Sequence, residues 1–372
     1  MTELTFVTGA PRSGTGLLAA RLAKGPGRRC VSQPAPLLLT GLKRSFLAQR
    51  GAPDLLATYP LSDQQFGTYT PPDEFTGFLG AARPSRDDWE SWLTSMVGYS
   101  GQYTRPATPL AGLGALLRQV PIGALCRYLD ANYTEPGGAT AIVWKETFAE
   151  EFVPAILQAG HSCVLILRDP RDSIASQTGG RGEQFAGDPR PLLFMCRQWR
   201  KSALYALALK DCPGFYMVRY EDLVEAPVST LCDHLPPEIA PDADAIRSAD
   251  NTPRNSSFDS GDASPVQPIG RYKDHLAPET SAFIEALCAA EMSAFGYGTT
   301  MSPAERSTIV KRGCPDTAVG RPELSFYAWC DRHRDDELAR LEAIDRPDGK
   351  FMREAFIFER AFARLRAAGS GQ

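Results

Sequence analysis

The sequence has little histidine, no paired cysteines, no long apolar run and no excess of basic charge. Four histidines occur in 372 residues: His161, His234, His275 and His333. They lie far apart, and none has a ligating partner at helical spacing, which argues against a protein-built zinc site. The nine cysteines are odd in number, scattered and never spaced Cys-x-x-Cys. That pattern reads as free thiols in a reducing compartment. Apolar runs such as Leu37–Leu39 and Val164–Leu167 are only core-sized, so no membrane span is expected. The chain opens directly on a strand-like segment, so no secretory leader is expected and a cytoplasmic location follows. Lys and Arg total 40 against 44 Asp and Glu, a net charge of −4. A general nucleic-acid binder would carry a broad basic surface instead. With 43% hydrophobic and 23% charged residues, the composition is that of a folded globular chain.

What is present is an alternation of strand and helix patterns. Glu3–Thr8, Ala141–Trp144, Ser162–Leu167 and Gly214–Val218 read as strands. Ser162–Leu167 is continuously apolar, as expected of a strand covered on both faces. Leu17–Ala23, Phe148–Gln158, Pro170–Gln177, Pro191–Leu209 and Pro278–Phe295 read as helices. The expected fold is α/β, with a central, mostly parallel sheet flanked by helices. Two stretches break the rhythm. Gly51–Pro109 reads as loops and short helices, the kind of region that carries acceptor-site residues (about 45–135). Ala249–Lys273 reads as a long loop. Residues 301–372, with helical patterns over Arg321–Glu342 and Lys350–Ala367, read as an appended helical extension, a lid or a homo-oligomer contact.

Between the first strand and its helix stands Thr8-Gly9-Ala10-Pro11-Arg12-Ser13-Gly14-Thr15-Gly16. Glycines let such a turn converge its N–H groups on an anion, and the helix N-terminus adds its positive end. Gly9 and Gly14 fit the G-x-x-x-x-G-K-[ST] pattern, but Thr15 and Gly16 stand where that pattern has lysine and a magnesium-binding hydroxyl. A cation sits earlier instead, at Arg12. The loop suits a phosphoanhydride other than magnesium ATP; its plain alternative is a glycine-rich connection.

A second signal is Arg168-Asp169-Pro170-Arg171-Asp172, running on to Ser176. Asp169 suits the N-cap, Pro170 the first helical position and Asp172 the third. Arg168 therefore closes a buried strand, at the edge where open α/β sheets bind ligands. Ser176 follows about two helical turns later, placed to share one phosphate with Arg168. The alternative is local capping and surface ion pairing, the role that best suits Arg171 and Asp172.

Pro11–Thr15 resembles the phosphosulfate loop of the sulfotransferases that use 3′-phosphoadenosine 5′-phosphosulfate (PAPS). Arg168–Ser176 resembles their 3′-phosphate motif. Val218-Arg219-Tyr220-Glu221-Asp222-Leu223 is similar to their strand-end R-Y-E-D-L, and Gly270-Arg271-Tyr272-Lys273 to the basic segment before the last helix of bacterial members. The matches occur in family order over residues 1–298, and the resemblance implies a single P-loop-like catalytic domain over residues 1–300. The resemblance implies sulfuryl transfer from PAPS, leaving adenosine 3′,5′-bisphosphate (PAP), to a hydroxyl or, less readily, an amine of a small-molecule or carbohydrate acceptor. No metal is required by the motifs. It implies that Arg12 meets the 5′-phosphosulfate and stabilises the leaving phosphate, aided by Ser13, Gly14 and Thr15. Arg168 and Ser176 would hold the 3′-phosphate, with Arg271 or Lys273 closing over it. Tyr220 would lie near the adenine, or is an ordinary half-buried tyrosine. Gly16 departs from the pattern, since many relatives carry a second threonine there.

The general base implied by the resemblance is Glu146 in Val143-Trp144-Lys145-Glu146-Thr147, at a strand end, with Lys145 able to touch the transferring group. Asp73 and Glu74 remain alternatives, and a plain helix-start charge is the structural alternative for Glu146. Relatives that take the base after their second strand have a glutamate where this chain has Ser32-Gln33-Pro34-Ala35-Pro36, and Gln33 cannot act as a base. Trp89, Trp92, Tyr99 and Tyr103 would line an aromatic acceptor pocket, although Trp89, Trp92 and Met96 equally fit a helix's core face. A P-loop kinase and a catalytically silent nucleotide-binding member are the competing readings.

Overall fold

The computed structural model describes residues 3–34, 36–51, 72–94, 121–133, 141–178, 192–248, 269–315 and 331–369. Tyr99, Tyr103, Met96 and most of the Ala249–Lys273 loop lie outside these residues. In chain order the elements are β1 (Glu3–Thr8), α1 (Thr15–Leu22), β2 (Arg28–Ser32), α2 (Pro36–Gln49), α3 (Pro72–Ala81), α4 (Arg86–Thr94), α5 (Pro121–Tyr133) and β3 (Ala141–Lys145). There follow α6 (Val153–Gln158), β4 (Ser162–Leu167), α7 (Pro170–Thr178), α8 (Leu192–Leu209), β5 (Phe215–Arg219), α9 (Tyr220–Glu225) and α10 (Ala243–Arg247). The chain ends with α11 (Tyr272–His275), α12 (Pro278–Ala294), α13 (Pro303–Arg312), α14 (Asp331–Asp345), α15 (Arg353–Phe356) and α16 (Glu359–Gly369).

The architecture is α/β, a central mostly parallel sheet flanked by helices with a helical C-terminal extension. The five strands lie in the order β2-β3-β1-β4-β5, and β1 pairs in parallel with both β3 and β4. β1 and β4 are buried along nearly their whole length, which is why their sequences run apolar without alternation. β2 was not legible as a strand. It is an edge strand and buries only Val31, so its Arg-Arg-Cys-Val-Ser sequence carries no run of core residues. The helix expected over Phe148–Gln158 is shorter: a 3₁₀ turn spans Glu150–Phe152 and the α-helix starts at Val153. Pro154 sits in the first turn, where its missing N–H is tolerated, and would break a helix begun earlier.

The chain divides into two compact units: Met1–Gly9, Gly14–Ile166 and Lys210–Asp250 form one, and Ala10–Ser13, Leu167–Leu209 and Asn251–Gln372 the other. The first holds the sheet, with Val7, Leu18, Val164, Ile166, Val218 and Leu223 in its core. Arg21, buried on α1, donates to the Leu223 carbonyl at 2.5 Å and ties α1 to α9. The second unit is helical. α12 packs against α7, α8, α13 and α16, and α14 packs against α13 and α16. A buried charge network joins these helices. Arg200 on α8 holds Glu337 on α14 through both terminal nitrogens, at 2.5 and 2.8 Å, and Arg197 adds a bond at 3.0 Å. Arg340 pairs with Glu291 on α12. Among the described residues no helix is long and apolar enough to cross a membrane.

Candidate functional site

β1 and β4 are neighbours, and the chain leaves them toward opposite sides of the sheet order. β1 leads on to β2, while β4 leads on to β5. Crevices at such reversals are where open α/β sheets take ligands. The loop after β1 begins with Gly9, where a Cβ would lie 2.4 Å from the Ile166 carbonyl oxygen. Only glycine lets the two strand ends approach this closely.

In the helical unit, three long-range hydrogen bonds fasten the loop segment Ala10–Ser13 to the residues around α7. Ser173 Oγ donates to the Pro11 carbonyl at 2.7 Å. Arg168 Nη1 donates to the Arg12 carbonyl at 3.2 Å, and Arg12 Nε donates to Ser176 Oγ at 3.1 Å. The Arg168 carbonyl in turn accepts from Trp199 Nε1 at 2.7 Å. Arg12, Arg168 and Ser176, which the sequence placed in two separate motifs, are thus in one hydrogen-bonded cluster. Residues that the resemblance assigns to different phosphates, Arg12 and Ser176, touch directly. Arg12 has a left-handed backbone, φ 63°, a conformation that costs a non-glycine residue about 1 kcal/mol. Ser13 is 0% exposed, and its hydroxyl has no hydrogen-bond partner among the described residues. A buried unpaired hydroxyl calls for a ligand or water to complete it.

The first turn of α7 is internally satisfied. Asp169 caps it, accepting from the Arg171 amide at 2.9 Å, and also receives the Arg171 guanidinium at 3.0 and 2.7 Å. Arg171 further pairs with Glu285 on α12 at 3.2 Å. Burial pulls the Arg171 guanidinium down, but its bonds to Asp169 and the surrounding charges hold it above the usual arginine value. The ion pairing expected at the surface here is therefore buried. Asp172 turns away from its own helix and accepts from the Gly270 and Tyr272 amides. Arg271 is half-buried, with Nη2 3.4 Å from His275 Nε2, and Lys273 is exposed.

In the sheet unit, Gly14 is the N-cap of α1 with φ 95°, and no acidic residue stands in the helix's first turn. A Cβ on Gly14 would meet the Tyr220 ring at 2.4 Å, so that ring lies directly on the loop backbone and within the apolar core. Thr15 is buried on α1, whereas the space around Gly16 is open. Lys145 Nζ donates to Gln33 Oε1 at 2.6 Å, while the Gln33 amide donates to the Lys145 carbonyl at 2.7 Å. Glu146 is 1% exposed; its Oε1 accepts from Trp144 Nε1 at 3.1 Å, and its amide donates to Val7. The following turn is pinned by Lys43, which bonds the Phe148 carbonyl and Glu151, both at 3.1 Å. Asp73 and Glu74 are exposed on α3, and Glu74 pairs with Arg50 at 2.8 Å. Trp89 is fully buried, its ring 5.8 Å from that of Trp92.

The sequence did not disclose Ser173, Trp199 or the Gln33–Lys145 pair. Ser173 alone carried a signal, its i, i+3 spacing from Ser176 on one helix face.

No protein-family model matches the chain, and no curated protein matches it. The solved structures to which it shows weak similarity include two domains. One is the sulfotransferase domain from the curacin biosynthetic pathway, at 16% identity and a TM-score of 0.37, covering 84% of this chain and 97% of that domain. The other is the sulfotransferase domain from the Synechococcus PCC 7002 olefin synthase, also at 16% identity and TM-score 0.37, covering 88% and 93%.

Proposed function

We propose that this protein is a PAPS-dependent sulfotransferase acting on a hydroxyl of a small-molecule or carbohydrate acceptor in the cytoplasm. The observation that carries the reading is the Arg12–Ser176–Arg168 cluster, which joins the two anion motifs inside one unit. The unpaired Ser13 hydroxyl and the α1 start without acidic residues fit an anionic group. In this reading Arg12, Ser13, Gly14 and Thr15 hold the 5′-phosphosulfate, and Arg168, Ser176 and Arg271 or Lys273 hold the 3′-phosphate. Tyr220 lies near the adenine. The catalytic domain spans residues 1–300, with 301–372 as its helical extension.

PAPS supplies the sulfuryl group when bound. Arg12 provides a fixed positive charge for the leaving phosphate, the electrostatic role that dominates loose in-line transfers of this type. The Glu146 carboxylate takes the proton from the acceptor hydroxyl oxygen. The bond from Trp144 Nε1 to its Oε1 orients it before the acceptor arrives. Lys145, held by Gln33, touches the transferring group in this reading.

Isothermal titration of PAP into the folded protein without magnesium tests the reading. Binding is expected; absence of binding, or turnover of magnesium ATP instead, overturns it. Glu146→Gln is expected to lower kcat by about 10²–10⁴-fold with PAP affinity retained.

A further inference from the structure

Asp172 stands at the third position of α7, where an acidic side chain ordinarily serves its own helix. Here it does something else. Its side chain is 1% exposed, and both oxygens are committed to a segment about a hundred residues away. Oδ2 accepts from the Gly270 amide at 2.7 Å and Oδ1 from the Tyr272 amide at 2.8 Å. The two donors flank Arg271, so one carboxylate fixes the backbone on both sides of that residue. Gly270 has φ 76°, a left-handed turn that brings its N–H to the carboxylate. Tyr272 is held a second time, its ring 4.5 Å from the Arg171 guanidinium. Arg171 is itself bonded to Asp169 and Glu285. Burying a carboxylate is costly unless its bonds are well made, and burial does push the Asp172 carboxyl up, against the opposing pull of the two amides and Arg168.

We propose that Asp172 is a positioning residue for recognition of the 3′-phosphate: it latches Gly270–Lys273 to the first turn of α7 and so sets where Arg271 stands. The proposal rests on the PAPS reading and deepens it. Fixing both neighbours of Arg271 removes the ordering cost that a mobile basic loop would incur on binding. The latch therefore acts on discrimination between nucleotides with and without a 3′-phosphate, and leaves the remainder of the nucleotide's contacts unchanged.

The test is titration calorimetry with two probes, PAP and adenosine 5′-monophosphate, on the wild type, Asp172→Asn, Arg271→Ala and the double variant. Asp172→Asn is expected to lose at least about tenfold in PAP affinity and less than about twofold in monophosphate affinity. The double variant is expected to be no weaker than Arg271→Ala. Equal losses for both probes, an unchanged PAP preference, or additive losses in the double variant overturn the latch while leaving the PAPS reading intact. A wild type that binds neither probe overturns that reading and the latch with it. Should Asp172→Asn fail to fold, hydrogen exchange on the wild type decides. PAP is expected to slow exchange of the Gly270 and Tyr272 amides where the monophosphate does not; equal slowing overturns the proposal.

Discussion

The first turns of α1 and α7 follow neighbouring strands and are built in opposite ways. α1 begins at a glycine N-cap with no side-chain cap and no acidic residue. Its approach includes a left-handed Arg12 and a buried, unpaired Ser13 hydroxyl. α7 begins at Asp169, which caps it and holds Arg171, while Asp172 holds another segment. The first turn of α1 carries no carboxylate of its own, whereas that of α7 is capped by Asp169. In the proposed reading the start of α1 meets the anionic ligand, while the first turn of α7 holds neighbouring segments in place. The α7 region still offers Arg168 and Ser176, which flank its first turn rather than belong to it.

If that contrast is right, damage at α1 should harm chemistry and damage at α7 should harm the fold. The largest effect is expected from Arg12→Ala, which should lower turnover about 10²–10³-fold, as loss of a preorganised charge does. Its melting temperature should fall only modestly, because alanine meets the same left-handed strain and the bond to Ser176 is lost. A large loss of stability with activity retained would break the comparison.

Next is Glu337→Gln, in the charge network that joins α14 to α8. Removing the charge leaves Arg200 and Arg197 buried and should cost about 3–5 kcal/mol at neutral pH in urea unfolding. Burial pushes the Glu337 carboxyl up, and the charges and bonds of Arg200, Arg197 and Arg340 overcome this and hold it well below the usual range. With the folded value depressed, the stabilisation is complete above the ordinary glutamate value and lost as pH falls. The gap between wild type and variant should therefore narrow in acid. A gap that widens would contradict the assignment.

Asp169→Ala removes a cap and an ion-pair partner of Arg171, and should cost about 2 kcal/mol in thermal or urea unfolding. Loss of PAP affinity with unchanged stability would place α7's first turn among the ligand contacts instead. The smallest effect is expected from Gly16→Thr. The space beside Gly16 is open, so the side chain fits. It supplies the hydroxyl that many similar loops carry, and PAP should bind a few-fold tighter, with a stability change of about 0.5 kcal/mol or less. Weaker binding would show that α1's first turn does not face the ligand.

How much of this was legible follows from the range of each interaction. Ser162–Leu167 announced itself because both its faces are covered, while β2 did not, because an edge strand needs only Val31 inside. The Asp169 cap was readable from Asp-Pro spacing, since cap and amide are two residues apart. The surface ion pairing expected around it is buried, since α12 supplies Glu285, and nothing near residue 171 in sequence foretells that. Trp89 shows the same limit: its spacing suited a pocket or a core, and packing put it fully inside.

By itself, the sequence determined the turn at Gly9–Gly14, the start of α7, the buried central strands and the absence of lysine from the loop after β1. These depend on backbone sterics and on hydrogen bonds within a few residues. Tertiary structure alone decided that Arg12 meets Ser176 across 164 residues, that Lys145 meets Gln33 across 112, and that Asp172 grips Gly270 across 98. Such partners are chosen by how strands and helices pack. Closing the long loops between them costs entropy that the burial of the cores must offset before any one of these bonds can form.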